Sequence, residues 1–211
     1  MQELQKKSEL CHIMTKHGSD KGTGRHNYTI LYNELFKDRK DEKLNIFELG
    51  LGTNNLDVPS NMGPTGIPGA SLRGWREYFS NSNIFGADVD RRILFNENRI
   101  STFYCDQRDS TVIKDMWNNE ILNDLSFDVI VEDGLHEFYA NLIFLENSLY
   151  KLNNGGIYIC EDLREETVES FRREIKTLEK KYPGYTFELF CIESADNPYN
   201  DNNVLVVKKS I

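Results

Sequence analysis

The sequence lacks several features that would each indicate a particular class of protein. Its four cysteines include no C-x-x-C pair, the usual spacing of a zinc or dithiol redox site. No apolar run approaches the roughly 18 residues of a membrane span, and the first nine residues are too polar for a signal peptide. We therefore expect a cytoplasmic protein whose cysteines are structural thiols, with no membrane partner.

Positive charge is also scarce. The 211 residues include 25 Lys and Arg against 34 Asp and Glu, which gives a net charge of −9. Such a surface repels the phosphates of nucleic acids, so we expect no nucleic-acid partner. The charge balance is compatible with a metal ion or a small cationic cofactor. Whether the protein forms homo-oligomers is left open.

What the sequence does contain is an alternation of apolar runs and amphipathic stretches. Strands are predicted over 45–49, 83–88, 102–105, 127–131, 156–160, 186–192 and 203–208. Helices are predicted over 72–79, 92–98, 111–117, 139–149 and 166–181. This order is typical of an α/β fold whose seven-stranded sheet is mostly parallel, with an antiparallel strand near one edge and helices on both faces. We expect one domain over 1–211, in which a helical and loop segment over 1–43 covers the site and 44–211 forms the core.

The segment I-F-E-L-G-L-G-T at 46–53 is the most informative motif. A short apolar strand runs through Glu48 into Gly50 and Gly52, and glycine is needed where a backbone turns sharply and approaches a ligand. Dinucleotide sites use G-x-G-x-x-G, and Asn55 occupies the place of the third glycine. An NAD site is therefore disfavoured, while a plain tight turn remains an alternative.

Acidic residues follow every predicted strand of the parallel region. Because ligands bind outside the carboxyl ends of such strands, these acids predict a site at that edge. Asp88 stands where an acid can accept hydrogen bonds from a ribose, and the side chains of Asp106 and Gln107 are candidates to read the edge of an adenine.

Two acidic pairs at neighbouring strand ends indicate a second kind of chemistry. Glu132-Asp133 and Glu161-Asp162 would repel one another, since no lysine lies between them, and a bound divalent cation with oxygen ligands would relieve that repulsion. His136 follows Asp133 by three residues and would face the same space as a general base. The alternative is a structural histidine that caps a helix or orients Asp133.

Taken together, these motifs resemble class I S-adenosylmethionine-dependent methyltransferases, and more narrowly the metal-dependent sugar O-methyltransferases that act on macrolide sugars. The matching segments are H-G-S-D-K-G-T at 17–23, H-N-Y-T at 26–29, F-E-L-G-L-G-T at 47–53, G-A-S-L-R-G-W-R-E-Y-F at 69–79, I-F-G-A-D-V-D at 84–90, D-Q at 106–107, F-D-V-I-V-E-D-G-L-H at 127–136 and G-G-I-Y-I-C-E-D-L at 155–163. The resemblance implies a Rossmann-like fold.

The same resemblance implies roles for individual residues. The implied contacts to S-adenosylmethionine are at Glu48, Gly50, Gly52, Ser71, Arg73, Asp88, Asp106, Gln107 and Glu132. The implied ligands of a metal ion, expected to be Mg²⁺, are Asp133, Glu161 and Asp162. His136 and Asp133 would be catalytic, with His136 as the base.

The expected activity is therefore methyl transfer to a hydroxyl of a sugar or sugar-linked small molecule. An NAD-dependent oxidoreductase or epimerase of sugars, and a non-catalytic cofactor-binding subunit, remain as alternatives. The acceptor itself is left open among a nucleotide sugar, a polysaccharide, a phosphoramidate-type decoration and a natural product.

Overall fold

The computed structural model describes residues 7–192 and 201–211. Its helices are α1 (Glu9–His17), α2 (Tyr28–Phe36), α3 (Ala70–Tyr78), α4 (Ser110–Trp117), α5 (Phe138–Glu146) and α6 (Glu165–Lys181). Its strands are β1 (Asn45–Leu49), β2 (Asn83–Asp88), β3 (Asn96–Glu97), β4 (Ile100–Tyr104), β5 (Phe127–Glu132), β6 (Leu152–Leu163), β7 (Tyr185–Cys191) and β8 (Asn203–Lys209). Short 3₁₀ helices form at Arg91–Ile93 and Leu149–Lys151.

These strands form one eight-stranded sheet in the order β3-β4-β2-β1-β5-β6-β8-β7. β4, β2, β1, β5 and β6 are parallel neighbours, and β8 lies antiparallel between β6 and β7. The mostly parallel sheet with an antiparallel strand near one edge is as predicted. The eighth strand is the two-residue β3, which pairs antiparallel with β4 at the other edge.

Two apolar clusters cover the two faces of the sheet, so the prediction of helices on both faces is confirmed. On one face Trp117 and Phe144 lie in a cluster with Phe171, from α4, α5 and α6. On the other face Tyr32 and Trp75 lie in a cluster built from α1, α2 and α3. Because β5 is apolar along most of its length, it can be buried between these layers.

The helix predicted over 92–98 is wrong. That stretch contains the 3₁₀ turn at Arg91–Ile93 and the strand β3. The hydroxyl of Thr102 accepts a hydrogen bond from the backbone N–H of Phe95 at 2.6 Å and donates to its carbonyl at 2.5 Å. Both backbone groups of Phe95 are thus bound to β4, and an α-helix cannot form through it.

Four further expectations concern the cysteines, the turn before β8, membrane-spanning helices and the domain organisation. Cys191 is exposed, since it lies on the edge strand β7, while the other cysteines are buried and all four are free. The turn predicted over 194–202 lies outside the described residues except for Asp201 and Asn202. Among residues 7–192 and 201–211, none of the helices has the length and apolar character that a membrane crossing requires. The division into one domain with a covering segment over 1–43 stays a prediction.

Candidate active site

A cavity of about 300 Å³ opens at the carboxyl ends of the parallel strands. The predicted site residues in its wall are Gly50, Gly52, Asp88, Asp106, Gln107, Asp133, His136 and Asp162. The predicted site residues that do not line it are Glu48, Ser71, Arg73, Glu132 and Glu161. We call the part formed by the ends of β1 and β2, with Gly50, Gly52, Asp88 and Asp90, the glycine half. The part formed by the ends of β5 and β6, with Asp133, His136, Glu161 and Asp162, is the acid half.

The two glycines of the turn after β1 have different reasons to be glycine. Gly50 has φ +92°, and a Cβ there would collide with the carbonyl oxygen of Asp133, so the close approach is made by the protein's own backbone. Gly52 has φ +73°, and a Cβ there would meet the Met62 side chain at 3.0 Å while Gly52 faces the cavity. Of these two glycines, Gly52 is the one whose missing side chain leaves space for a ligand.

Asp88, at the end of β2, is buried and holds the glycine turn. Its carboxylate accepts hydrogen bonds from the backbone N–H groups of Leu51, at 2.7 Å, and Asp90, at 2.8 Å. Burial raises the pKa of Asp88, although these hydrogen bonds act in the opposite direction. Each carboxylate oxygen can accept a second hydrogen bond, so Asp88 retains capacity for a ligand hydroxyl.

Asp90 closes the same loop, and it was predicted only as one of the acids that follow the parallel strands. It accepts hydrogen bonds from Thr53 Oγ1 and Asn55 Nδ2, both at 2.7 Å, and pairs with Arg92. Hydrogen bonds from Arg92 lower the pKa of Asp90, with further lowering from Thr53 and Asn55. Asn55 stands where a dinucleotide site has its third glycine. Its side chain links the loop to Asp90, just after β2.

Three predicted cofactor residues lie behind the cavity wall. Glu48 is fully buried and accepts hydrogen bonds from Ser71 Oγ and from Trp75 Nε1, the latter at 2.6 Å. Arg73, on α3, pairs with Glu97 at 2.8 Å and donates to the backbone carbonyl of Pro68, which precedes the helix. The polar ends of these side chains are engaged within the protein, and their contacts to a cofactor stay predictions.

Gln107 and Glu132 support the turn that carries His136. Gln107 Nε2 donates to Glu132 Oε1 at 3.1 Å, and Gln107 Oε1 accepts the backbone N–H of Leu135 at 2.7 Å. A Cβ on Gly134 would collide with Gln107, which explains the glycine there. Asp106, also in the wall, is bound to Arg108 at 2.9 Å. Because these polar ends are already engaged, the prediction that Asp106 and Gln107 read an adenine stays a prediction.

The acid half brings two carboxylates and an imidazole together in the cavity wall. His136 Nε2 lies 3.1 Å from Asp133 Oδ1 and 3.7 Å from Asp162 Oδ2. His136 and Asp162 have φ +61° and +53°, in the left-handed region that non-glycine residues rarely adopt. Such backbone strain is common at ligand sites, where surrounding contacts hold it in place.

Residues from the N-terminal segment contact the acid half, and these individual contacts were not predicted from the sequence. Lys21 Nζ donates to Asp133 Oδ2 at 2.6 Å and to Glu161 Oε2 at 2.5 Å. The expectation that the two acidic pairs converge with no lysine between them is therefore wrong. The motif H-G-S-D-K-G-T at 17–23 was the available signal.

Two tyrosines complete this contact. The Tyr32 hydroxyl donates to Glu161 Oε1, and the Tyr28 hydroxyl donates to Asp162 Oδ1. Tyr28 belongs to the motif H-N-Y-T at 26–29, and His26 of the same motif lies 3.3 Å from Asp162. Asp133, Glu161 and Asp162 are thus each held by a side chain from 21–32.

Burial and neighbouring charges shift the pKa values of the side chains in the acid half in opposite directions. Burial raises the pKa of Glu161 well above its usual range, even though Lys21 acts against that shift. Burial also opposes ionisation of Asp133, but Lys21 and His136 outweigh it and lower the pKa of Asp133. Burial lowers the pKa of His136, but its hydrogen bond to Asp133 and the charge of Asp162 outweigh it and raise that pKa to about 9. The role of His136 as a base stays a prediction.

Two groups of side chains among the described residues have the composition of a metal site. In one, the ligand atoms of Asp133, His136 and Asp162 all lie within 4.8 Å of one another. In the other, the same holds for His26, Asp162 and Asp201. Glu161 belongs to neither group, although it was predicted as a ligand.

Comparison with known proteins identifies sequence relatives of this chain. A scan against protein families found no matching family. The chain is 31% identical over 156 residues to an 8-demethyl-8-alpha-L-rhamnosyl tetracenomycin-C 2'-O-methyltransferase from Streptomyces olivaceus, covering 74% of this chain and 38% of that protein. It is 26% identical over 164 residues to the mycinamicin VI 2''-O-methyltransferase from Micromonospora griseorubida, covering 75% of this chain and 37% of that protein. The chain therefore spans less than half the length of these relatives.

A solved structure agrees with the sequence relatives. The MycE methyltransferase of the mycinamycin biosynthetic pathway, in complex with Mg, S-adenosylhomocysteine and mycinamycin VI, superimposes with a TM-score of 0.72 at 18% identity. The match covers 97% of this chain and 55% of that one. At this identity the likeness establishes the fold alone. The predicted fold class is confirmed: the chain has the Rossmann-like fold of class I S-adenosylmethionine-dependent methyltransferases, and its sequence relatives are sugar O-methyltransferases.

Proposed function

We propose that the protein is an S-adenosylmethionine-dependent O-methyltransferase that methylates a hydroxyl of a sugar or sugar-linked small molecule with the help of Mg²⁺. The observation that carries the proposal is that one cavity joins the glycine half to the acid half. A methyl donor bound over Gly52 and Asp88 would therefore share a space with the carboxylates and imidazole that could orient an acceptor. Proximity of this kind is a large part of what a transferase must supply.

The glycine half fits the cofactor. Gly52 leaves space at the turn, and buried Asp88 has free acceptor capacity for a ribose hydroxyl. The cavity volume of about 300 Å³ lies at the lower end of the range for small-molecule sites. The acidic surroundings suit a cofactor that carries a sulfonium charge and an ammonium group.

The acid half fits a divalent ion. Asp133 and Asp162 present carboxylate oxygens to the cavity, and oxygen is the ligand that Mg²⁺ prefers. When bound, the ion would stabilise negative charge and lower the pKa of an acceptor hydroxyl. Asp133 and Asp162 would hold the ion, whose positive charge would oppose the raised pKa of His136, and the neutral imidazole would then accept the proton of the hydroxyl.

A sugar-linked acceptor is supported by the relatives, whose names specify a rhamnosyl tetracenomycin and mycinamicin VI. A nucleotide sugar, a polysaccharide and a phosphoramidate-type decoration remain open for this chain. A cytoplasmic location and the absence of a nucleic-acid or membrane partner remain predictions.

The proposal is tested by supplying the purified protein with Mg²⁺, methyl-labelled S-adenosylmethionine and a panel of free, nucleotide-linked and aglycone-linked sugars. We expect binding of S-adenosylhomocysteine in calorimetry and label transfer to at least one sugar. In a parallel titration NAD should not bind. Retention of NAD with no affinity for S-adenosylhomocysteine would contradict the proposal and favour an oxidoreductase.

A further inference from the structure

Asp20 differs from the other acids in the cavity wall because its carboxylate has no hydrogen-bonded partner among the described residues. The aspartates that line the cavity are Asp20, Asp57, Asp88, Asp90, Asp106, Asp133 and Asp162. All of them except Asp20 accept hydrogen bonds within the protein. The imidazole of His26 lies 3.8 Å from Asp20, beyond hydrogen-bond distance. The carboxylate of Asp20 is 21% exposed and keeps its full acceptor capacity for a ligand.

The segment that carries Asp20 connects the two halves of the site. Two residues before it, Gly18 packs against Ile67 of the loop that follows the glycine turn, where a Cβ on Gly18 would lie 2.8 Å from Ile67 Cδ1. One residue after it, Lys21 Nζ donates to Asp133 Oδ2 at 2.6 Å. Asp20 therefore reaches the cavity between the glycine turn and the acid half.

We propose that Asp20 is the counter-charge for the ammonium group of S-adenosylmethionine and a specificity-determining residue of the cofactor site. This inference rests on the proposed function for the cofactor, and it adds a residue of the N-terminal segment to those predicted to bind it. With the ribose at Asp88 and the reactive methyl directed towards the acid half, the amino-acid part of the cofactor extends along the wall between the two halves. Asp20 presents an unoccupied carboxylate at that place.

Glu48, the acid predicted to bind the cofactor from the end of β1, is placed differently. It is fully buried and does not line the cavity. Its two carboxylate oxygens accept hydrogen bonds from Ser71 Oγ and Trp75 Nε1. Glu48 thus contributes negative charge from behind the wall, whereas Asp20 offers its oxygens to a ligand in the cavity.

An ammonium group that leaves water for a cavity needs a charged partner, because an unpaired charge is costly to desolvate. Hydrogen bonds between an ammonium and a carboxylate are among the stronger ones in proteins. Since Asp20 has no cationic partner of its own at hydrogen-bond distance, the ammonium would not have to displace one. A ligand without the ammonium would lose this interaction and leave Asp20 without a counter-charge.

The test compares S-adenosylhomocysteine with its deaminated analogue, in which a hydrogen replaces the α-ammonium while the carboxylate and the adenosine are kept. S-adenosylhomocysteine has no sulfonium, so the ammonium is its single positive charge. Calorimetry with Mg²⁺ present measures both affinities for the unmodified protein, Asp20→Asn, Asp20→Ala and Asp57→Ala. Asp57→Ala is the matched control, because it removes the same charge from the same cavity wall at a residue bound to Arg92. Asp20→Asn preserves the size of the side chain, and circular dichroism checks the fold of each variant.

We expect the unmodified protein to bind S-adenosylhomocysteine roughly 10- to 100-fold more tightly than the analogue, the scale of a hydrogen bond to a charged group. Both Asp20 variants should lose most of this preference by binding S-adenosylhomocysteine more weakly, while their affinity for the analogue does not fall. Asp57→Ala should keep the preference. An equal loss of affinity for both ligands in the Asp20 variants would give Asp20 a structural role only and overturn the proposal. So would an unmodified protein without a preference, or an equal loss of preference in Asp57→Ala.

The failure of this inference and the failure of the proposed function give different results. If the unmodified protein binds S-adenosylhomocysteine and transfers label, but Asp20→Ala keeps the preference, the role of Asp20 is wrong and the methyltransferase assignment stands. If the unmodified protein binds neither compound and transfers no label, the proposed function itself is wrong, and the role of Asp20 with it.

Discussion

The carboxylates of the glycine half and those of the acid half are held in place by different kinds of partners. Asp88 and Asp90 are held by backbone N–H groups, neutral side chains and Arg92, all within 37 residues of them in sequence. Asp133, Glu161 and Asp162 are held by Lys21, Tyr32 and Tyr28, which lie 112 to 140 residues away. The glycine half is thus largely a local structure, and the acid half depends on the whole chain.

This difference has a functional meaning. Carboxylates held by backbone donors form a fixed receptor for hydroxyl groups, which suits a cofactor that every catalytic cycle shares. Carboxylates clustered around one ammonium keep residual negative charge on the cavity side, which suits a cation that must be captured. If the two halves are independent, perturbing one should leave the function of the other intact.

The largest expected effect comes from removing the metal. Chelation should abolish methyl transfer and added Mg²⁺ should restore it, while affinity for S-adenosylhomocysteine changes little, because the proposed ligands Asp133 and Asp162 belong to the acid half. Label transfer and calorimetry on the same sample measure both quantities. Full transfer after chelation, with no metal by elemental analysis, would show that Asp133 and Asp162 act only as hydrogen-bond acceptors.

The next effect concerns His136. His136→Ala should slow methyl transfer about 10²- to 10⁴-fold, the usual contribution of a positioned base, and should leave cofactor binding intact. His12→Ala is the matched control, since that exposed imidazole contacts only a carbonyl of its own helical turn in the structure. If saturating Mg²⁺ restored the rate of His136→Ala, His136 would orient Asp133 rather than accept a proton.

The third effect tests the place where the two halves touch. Gly50→Ala should lower the free energy of unfolding by about 3 kcal/mol or more, because positive φ and a collision with the Asp133 carbonyl add together. Gly63→Ala is the control: its φ is +71°, but a Cβ there would have no atom within 4 Å, so about 1 kcal/mol is expected. Equal losses in chemical denaturation would mean that the contact between the halves is easily displaced.

The smallest expected effect is on cofactor affinity. Asp88→Ala should weaken binding of S-adenosylhomocysteine by about 1.5–3 kcal/mol, the scale of a hydrogen bond to a charged group. Asp109→Ala is the control, because Asp109 also accepts two backbone N–H groups, at the start of α4. Unchanged affinity in Asp88→Ala would leave Asp88 with a role in the turn only.

The same contrast explains what could be predicted from the sequence. The central strands and the glycine turn follow from local signals, an apolar run and glycines at fixed spacing, and the structure has them where the patterns indicate. The helix over 92–98 was wrong because the partner of Phe95 is Thr102, and periodicity contains no information on such a side-chain bond.

In the acid half the acids were located correctly at their strand ends, and their partners were not. Nothing in the spacing of Lys21 relative to Glu161 indicates that the two meet, since the contact depends on how α1 and α2 pack over the sheet. The motif around Lys21 marked the residue as notable without giving its place. The predicted contacts of Ser71 and Arg73 to a cofactor likewise stay predictions, because both side chains are bound within the protein.

The contact between Lys21 and Glu161 also constrains the order of folding. During synthesis the N-terminal residues appear first, whereas Glu161 of β6 appears 140 residues after Lys21. Until β6 is in place, the ammonium has no pair of carboxylates to enter and must stay hydrated. Closing so long a loop is slow compared with forming the local turn around Asp88. We therefore expect the cofactor side of the cavity to mature first and the side that receives the acceptor to form last.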